Sequence, residues 1–210
     1  MATGIKEATI PDSGFTERYY SEEIRLHTLG ELTGGDLAWV YLYPFVFQKI
    51  PIPPGKILDL GSNDARFARW LKSQHITQDV ISLDIRDIRI LGENFIRGTA
   101  KHLPFRDNAF TSLVSLFSLP MFCGNNVSEE QIFNEMARVT KAQIIIWPVP
   151  LGRWTNQKVL DQSTDSQINS DILKRAKTLT DDRWKAKIVD LSLPGSSYNH
   201  LIKALIIDKE

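Results

Sequence analysis

The strongest constraint on this chain is the run Lys56-Ile57-Leu58-Asp59-Leu60, set between a proline-rich stop and a glycine. Pro51, Pro53 and Pro54 end any helix arriving from the N-terminal side, because proline lacks an amide donor and disfavours helix at the residue before it. The run after them is too short for a helix and apolar at alternating positions on both faces. It therefore reads as a strand covered from both sides. Beyond Gly61, residues 65–73 place Phe67, Ala68 and Leu71 on one helical face, so the unit is strand, tight turn, helix.

The alternation continues down the chain. Residues 80–85 read as a strand, 86–94 as irregular, 95–97 as a short strand and 112–117 as another. Ser128-Glu129-Glu130-Gln131 has the form of a capping box, opening a helix that runs to Val139. Residues 143–147 supply a further strand, stopped by Pro148 and Pro150. Residues 159–178 are polar and helical in pattern. The runs 185–193 and 201–207, split by Pro194-Gly195-Ser196-Ser197, fit a terminal antiparallel pair. Ahead of the first strand, residues 21–48 form a helical lead-in with a break at Gly34-Gly35.

This pattern predicts an α/β fold: a Rossmann-like, doubly wound, mostly parallel seven-stranded sheet with an antiparallel C-terminal strand pair and an N-terminal helical lead-in. The 210 residues, 42% hydrophobic and 24% charged, suit one domain, with 1–50 as lead-in or cap and 51–210 as core. In such sheets ligands bind beyond the carboxyl ends of the strands, so the turns carry the function.

Charge and cysteine content narrow the classes. The formal net charge is zero, which gives no overall field to draw nucleic acid or anionic lipid. One cysteine, Cys123, excludes an intramolecular disulfide framework and a multi-cysteine zinc site, and suits a reducing cytoplasm. His27, His75, His102 and His200 show no metal-ligand spacing, so no metal is expected. No secretory or lipidation signal is readable in residues 1–10. The most apolar stretch, 37–50, falls short of the ~20 residues that a membrane span needs.

The turn after the first strand reads Asp59-Leu60-Gly61-Ser62-Asn63-Asp64-Ala65, where Gly61 lets the backbone approach a ligand. Asp84 ends the next strand roughly 20 residues on, where an acidic side chain accepts hydrogen bonds from ribose hydroxyls. Two ordered features of this kind point to a nucleoside ligand.

Three segments then carry a resemblance: Ile57-Leu58-Asp59-Leu60-Gly61, the stretch from Gly98-Thr99-Ala100-Lys101-His102-Leu103-Pro104-Phe105 to Phe110, and Asn134-Glu135-Met136-Ala137-Arg138-Val139. Together they resemble the class I S-adenosylmethionine-dependent methyltransferases, and most closely the group called methyltransferase type 11, over residues 57–149. The resemblance implies S-adenosyl-L-methionine as cofactor and a small-molecule methyl acceptor, and leaves a protein partner open. It implies that Gly61 with Ser62 and Asn63 meets the methionine end, that Asp84, with Ile85 beside it, takes the ribose, and that Thr99 and Ala100 lie by the adenine. Ser115 and Leu116 would face the cofactor through their backbone. Asp59 stands either against the ligand or as a brace of the turn.

Departures from the family pattern occur at Asn63 and Ala65, where glycine is usual, and at Thr99 and Thr111, where aspartate is common. Asparagine tolerates positive φ, and Ala65 costs only a methyl group if its backbone is helical. Asp64 reads as the N-cap of the helix. These departures keep a second reading, a catalytically inactive methyltransferase-like binding or scaffold domain. A nicotinamide-dependent oxidoreductase is disfavoured because Asp64 sets a carboxylate where pyrophosphate would sit, and DNA adenine methylation because Ser118-Leu119-Pro120-Met121 has one proline where those enzymes carry two. Tyr19, Tyr20, His27, Tyr41 and Tyr43 are candidates for orienting an acceptor, with ordinary packing as their alternative. Trp147, Arg153 and Trp154 are candidates for lining its pocket. The catalytic group is unknown, since methyl transfer by orientation requires none.

Overall fold

The computed structural model describes residues 43–44, 46–74, 79–86, 94–116, 118–119, 128–149, 165–191 and 203–210. In chain order the elements are β1 (Ile57–Leu60), α1 (Arg66–Ser73), β2 (Val80–Asp84), β3 (Phe95–Arg97) and β4 (Phe110–Leu116). They are followed by α2 (Glu129–Val139), β5 (Thr140–Trp147), α3 (Asp165–Leu179), β6 (Trp184–Asp190) and β7 (Lys203–Lys209). One seven-stranded sheet runs β3-β2-β1-β4-β5-β7-β6. Neighbours from β3 to β5 pair in parallel, and β7 pairs antiparallel with both β5 and β6. The expected doubly wound sheet with its antiparallel C-terminal pair is therefore observed.

Side-chain alternation splits the core into two layers. Leu58, Leu60, Leu113, Ile144 and Ile146 pack with α2 and α3 through Ile132, Phe133, Met136, Ile168 and Ile172. Ile57, Val114, Ile145 and Ile206 pack on the other face with Phe67, Ala68 and Leu71 of α1 and with Tyr43, Val46 and Ile50. All four residues of β1 are buried, which explains why a strand this short reads as an unbroken apolar run apart from Asp59. Residues 46–49 are helical and fall at the end of the expected lead-in; most of the rest of that segment lies outside the described residues.

Several boundaries differ from the sequence expectation. β4 and β5 start earlier, with Phe110 paired to Thr140 and a register shift before Ser112. Thr-Lys-Ala-Gln at 140–143 lacks an apolar run, but Thr140 follows α2 directly and its hydroxyl donates to the Met136 carbonyl at 2.7 Å. The strand thus begins as the helix closes, and pairing rather than hydrophobicity extends it. The helix expected over 159–178 is observed as α3, from Asp165. The expected cap of α2 is present, with Ser128 Oγ accepting the Gln131 amide at 3.1 Å.

Thr111 gains a packing reason. Gly55 has φ 141°, and a Cβ there would stand 2.1 Å from Thr111 Oγ1. Glycine before β1 and threonine early in β4 therefore fit each other where the two strands begin. The strand order reverses about β1 and β4, and the crevice at their carboxyl ends is the expected ligand position in such sheets. No helix among the described residues is long and apolar enough to cross a membrane.

Candidate functional site

The site is built where β1, β2 and β4 end. Gly61, at φ 76°, turns the chain out of β1. Its amide and that of Ser62 both donate to the Leu83 carbonyl, at 2.7 and 3.1 Å. Asn63 and Ala65 are also left-handed, at φ 52° and 56°, so three of five consecutive residues occupy a region open mainly to glycine and asparagine. Asn63 behaves as its side chain predicts. Ala65 corrects the expectation of a helical backbone: it is the left-handed N-cap residue of α1 and makes no side-chain cap bond, at a cost of about 1 kcal/mol.

Asp64 is a second correction, because it does not cap the helix amides. Its Oδ2 accepts Arg66 Nε at 2.6 Å and Arg69 Nη2 at 3.1 Å. Side-chain ion pairs on the first turn of α1 take the place of backbone capping.

Asp84, at the end of β2, is 5% exposed. Its Oδ2 accepts the Asn63 amide at 2.9 Å and Arg86 Nη2 at 3.3 Å. Its Oδ1 accepts the Arg86 amide at 3.0 Å and Arg86 Nε at 3.1 Å. Burial acts to raise the pKa of this carboxyl, but the bonds from Arg86 and Asn63 outweigh it and hold the group below its ordinary value. The Arg86 guanidinium also donates to Asn63 Oδ1 at 3.0 Å, tying the turn to the end of β2.

Asp59 has the opposite electrostatics. It is 2% exposed, and burial, reinforced by Asp84 and Asp64, pushes its carboxyl up to about 8. It is therefore mostly neutral at pH 7. Its Oδ2 and the hydroxyl of Ser62 are buried with no hydrogen-bond partner among the described residues. Other such atoms lie elsewhere among the described residues, the Ser82 and Ser112 hydroxyls included, but these two stand at the end of β1 and in the turn that follows it, where a ligand or water can complete the bonding.

The remaining predicted residues border the same edge. The Gly98 amide donates to the Asp84 carbonyl at 2.9 Å, which brings Thr99 and Ala100 beside it. The Thr99 hydroxyl accepts the Lys101 amide at 3.3 Å, and Ala100 is buried. Ile85 is the exposed large hydrophobic residue of the described surface, at 67%. Ser115 is fully buried, within 3.2 Å of the Ser118 hydroxyl, and Ser118 donates to the Leu60 carbonyl at 2.8 Å, locking the end of β4 onto β1. Leu116 ends β4, also buried.

Two participants were missed by the sequence reading. Arg86 was absorbed into an irregular stretch, although an arginine two residues after an acidic strand end is placed to fold back on it. Ser118 had been noted only as part of a failed nucleic-acid motif. Of the candidates around an acceptor, Tyr43 is a packing residue: it is 4% exposed, its ring is edge-on to Phe67 at 5.6 Å and tilted against Trp70 at 5.4 Å, and burial raises its hydroxyl well above the ordinary value. Trp147 is buried at 1% and packs in the core layer of α1. Tyr19, Tyr20, His27, Tyr41, Arg153 and Trp154 lie outside the described residues. Among the described residues no group of three or more His, Cys, Asp or Glu side chains is placed to hold a metal ion.

Comparison with known proteins agrees with this architecture. A family model described as a methyltransferase domain matches residues 58–146. No curated protein sequence matches the chain. Among solved structures, a SAM-dependent methyltransferase from Thermotoga maritima superposes with TM-score 0.52 at 17% identity, covering 94% of this chain and 99% of that one. The plantazolicin methyltransferase BpumL, solved with a pentazolic desmethylPZN analogue and SAH, gives TM-score 0.54 at 11% identity, covering 94% and 95%. This chain spans 64% of a further neighbour, from Anabaena variabilis, at 14% identity, 72% coverage of this chain and TM-score 0.48. At 17% and 11% identity the likeness to the first two structures speaks for the fold alone. Across residues 58–146, 89 of the chain's 210 residues, the sequence is thus similar to the methyltransferase domain family.

Proposed function

We propose that this protein transfers the methyl group of S-adenosylmethionine to a small-molecule acceptor, with Asp84 as the residue that fixes the cofactor. The observation that carries the reading is a buried carboxylate at the end of β2, kept ionised and tied to the Gly61 turn through the Asn63 amide. A rigid, charged acceptor in that position suits two neighbouring ribose hydroxyls.

The residues present fit the cofactor. Asp59 Oδ2 and Ser62 Oγ, buried with no partner among the described residues, lie at the end of β1 and in the turn assigned to the methionine end, where an ammonium or carboxylate would complete their bonding. Gly61 and Asn63 keep the backbone of that turn open. Ile85, exposed beside Asp84, would offer an apolar face to an adenine ring, and Thr99 and Ala100 would complete that end of the site. Ser115 and Leu116 bound the site through their backbone.

When bound, S-adenosylmethionine supplies a methyl group on a sulfonium centre, open to in-line displacement by an O, N or C nucleophile. The protein's part is to hold the donor in one orientation at the carboxyl edge of the sheet, so that proximity accounts for most of the acceleration. The neutral Asp59 carboxyl favours a ligand ammonium only after giving up its proton, so cofactor affinity rises as pH approaches 8. The family setting and the single cysteine together favour a cytoplasmic enzyme.

One observation favours the inactive, ligand-free scaffold as a second reading: Arg86 already saturates Asp84. Calorimetric titration separates the two. Micromolar binding of S-adenosylmethionine and S-adenosylhomocysteine, with a nicotinamide dinucleotide silent, is the expected result. Absence of binding up to millimolar ligand would move the assignment to the scaffold.

A further inference from the structure

Asp84 is held in a way that the cofactor reading does not by itself require. An ionised carboxylate offers about four acceptor positions, and all four are occupied: on Oδ1 by the amide and Nε of Arg86, on Oδ2 by the Asn63 amide and Nη2 of Arg86. Two of these donors belong to backbone that is fixed by the turn and the strand end. The other two, one on each oxygen, belong to a single side chain.

We propose that the Arg86 guanidinium is a displaceable plug on Asp84, which a ligand must expel with two vicinal hydroxyls, and that Arg86 thereby sets both affinity and ribose selectivity. The inference rests on the cofactor reading above. Withdrawing the side chain frees one position on each carboxylate oxygen, the arrangement that adjacent ribose hydroxyls need. The backbone amides of Arg86 and Asn63 stay in place, so the carboxylate keeps its orientation through the exchange.

Burial shows which partner moves. The Asp84 side chain is 7% exposed and that of Arg86 58%, so the carboxylate is part of the frame while the guanidinium is free to leave into water. An ion pair with one partner this exposed is weak, which makes displacement affordable for a ligand that returns two hydrogen bonds. A ligand with one hydroxyl returns only one bond for the two it breaks and is discriminated against. Expulsion also costs the bond from the guanidinium to Asn63 Oδ1, but Asp64 lies near enough to act on the Arg86 charge and offers it a nearby counter-ion.

The test is calorimetric titration of the wild type, Arg86→Ala and Arg86→Lys with S-adenosylhomocysteine and its 2′-deoxyribose analogue, at low and high salt, with thermal melts of each protein. Arg86→Ala is expected to bind S-adenosylhomocysteine about threefold to fivefold tighter than wild type and to discriminate less against the deoxy analogue. Arg86→Lys should fall between them, because an ammonium cannot span both oxygens. Wild-type affinity should rise with salt, which weakens the plug, and that of Arg86→Ala should not. Equal or weaker binding by a folded Arg86→Ala would overturn the plug while leaving the cofactor reading standing. Failure of both folded proteins to bind S-adenosylhomocysteine would bring down the cofactor reading, and the plug with it.

Discussion

Two polar regions of this domain use similar residues to opposite ends. Around Arg138 on α2, every guanidinium nitrogen is engaged: Nε with Glu135 at 2.7 Å, Nη1 with the Phe105 carbonyl and Asp107 at 2.7 and 3.0 Å, and Nη2 with the Leu103 carbonyl and Glu135 at 3.0 and 2.8 Å. Glu135 also accepts the Leu103 amide at 2.7 Å. The result is a closed latch that fastens the loop before β4 to α2. The end of β1 and the turn after it have carboxylates and arginines too, yet Asp59 Oδ2, Ser62 Oγ and Asp64 Oδ1 are buried there without partners among the described residues, and the turn holds three left-handed residues. Satisfied polarity fixes a loop in place, whereas unsatisfied polarity and backbone strain are what the proposed ligand site would use.

Breaking the latch should give the largest loss of stability. Arg138→Ala removes five hydrogen bonds and strands two loop carbonyls, so a loss of about 2–3 kcal/mol is expected, or a fall in Tm of roughly 4–10 °C. Affinity for S-adenosylhomocysteine, measured well below Tm, should stay within about twofold. A large affinity change with an unaltered Tm would reverse the roles assigned to the two regions.

Asp59 sharpens the contrast through pH. Its folded pKa of about 8 lies above the ordinary 3.8, so the folded protein keeps a proton that the unfolded chain sheds. The stability this group contributes is complete below pH ~4 and is lost as pH rises through ~8. Asp59→Asn, neutral throughout, should therefore gain on the wild type as pH rises from 5 to 8 and flatten the slope of Tm over that range. Parallel pH profiles for the two proteins would show that Asp59 is ionised in the fold.

The smallest effect expected is at Ala65. Glycine accepts its φ of 56° without the Cβ penalty, so Ala65→Gly should stabilise the domain by about 1 kcal/mol, a rise of about 2–4 °C in Tm. An unchanged or lowered Tm would show that the strain at this position is absent or is offset by packing of the Ala65 methyl group.

How much of this was legible in the sequence also differs between the two regions. The sheet was readable because β1, β3 and β5 carry short apolar runs closed by Gly61, Gly98 and Pro148. Those signals act locally and survive in any context. Asp84 was readable because its distance from Gly61 follows from one strand-turn-helix unit. The backbone state of Ala65 was not readable, since alanine favours the right-handed helix and only the closure of the turn onto the Leu83 carbonyl forces it over. Nor were the partners of Asp64 and Asp84, because a carboxylate's choice between backbone amides and an arginine depends on side-chain geometry that spacing does not encode. The latch lay within the motifs that carried the family resemblance, but its structural character appeared only when Glu135 and Arg138 were seen to close on residues 103–107.

The most direct test of a turn reserved for ligand is the affinity of S-adenosylhomocysteine for the wild type and for Asp84→Ala, measured by calorimetry on proteins whose folding is checked by melting. Loss of two charge-assisted hydrogen bonds predicts a drop of about 100-fold in affinity, with Tm shifted by no more than about 4 °C. Undiminished binding by a folded Asp84→Ala would contradict the ribose role of Asp84 and the division of labour between the two regions.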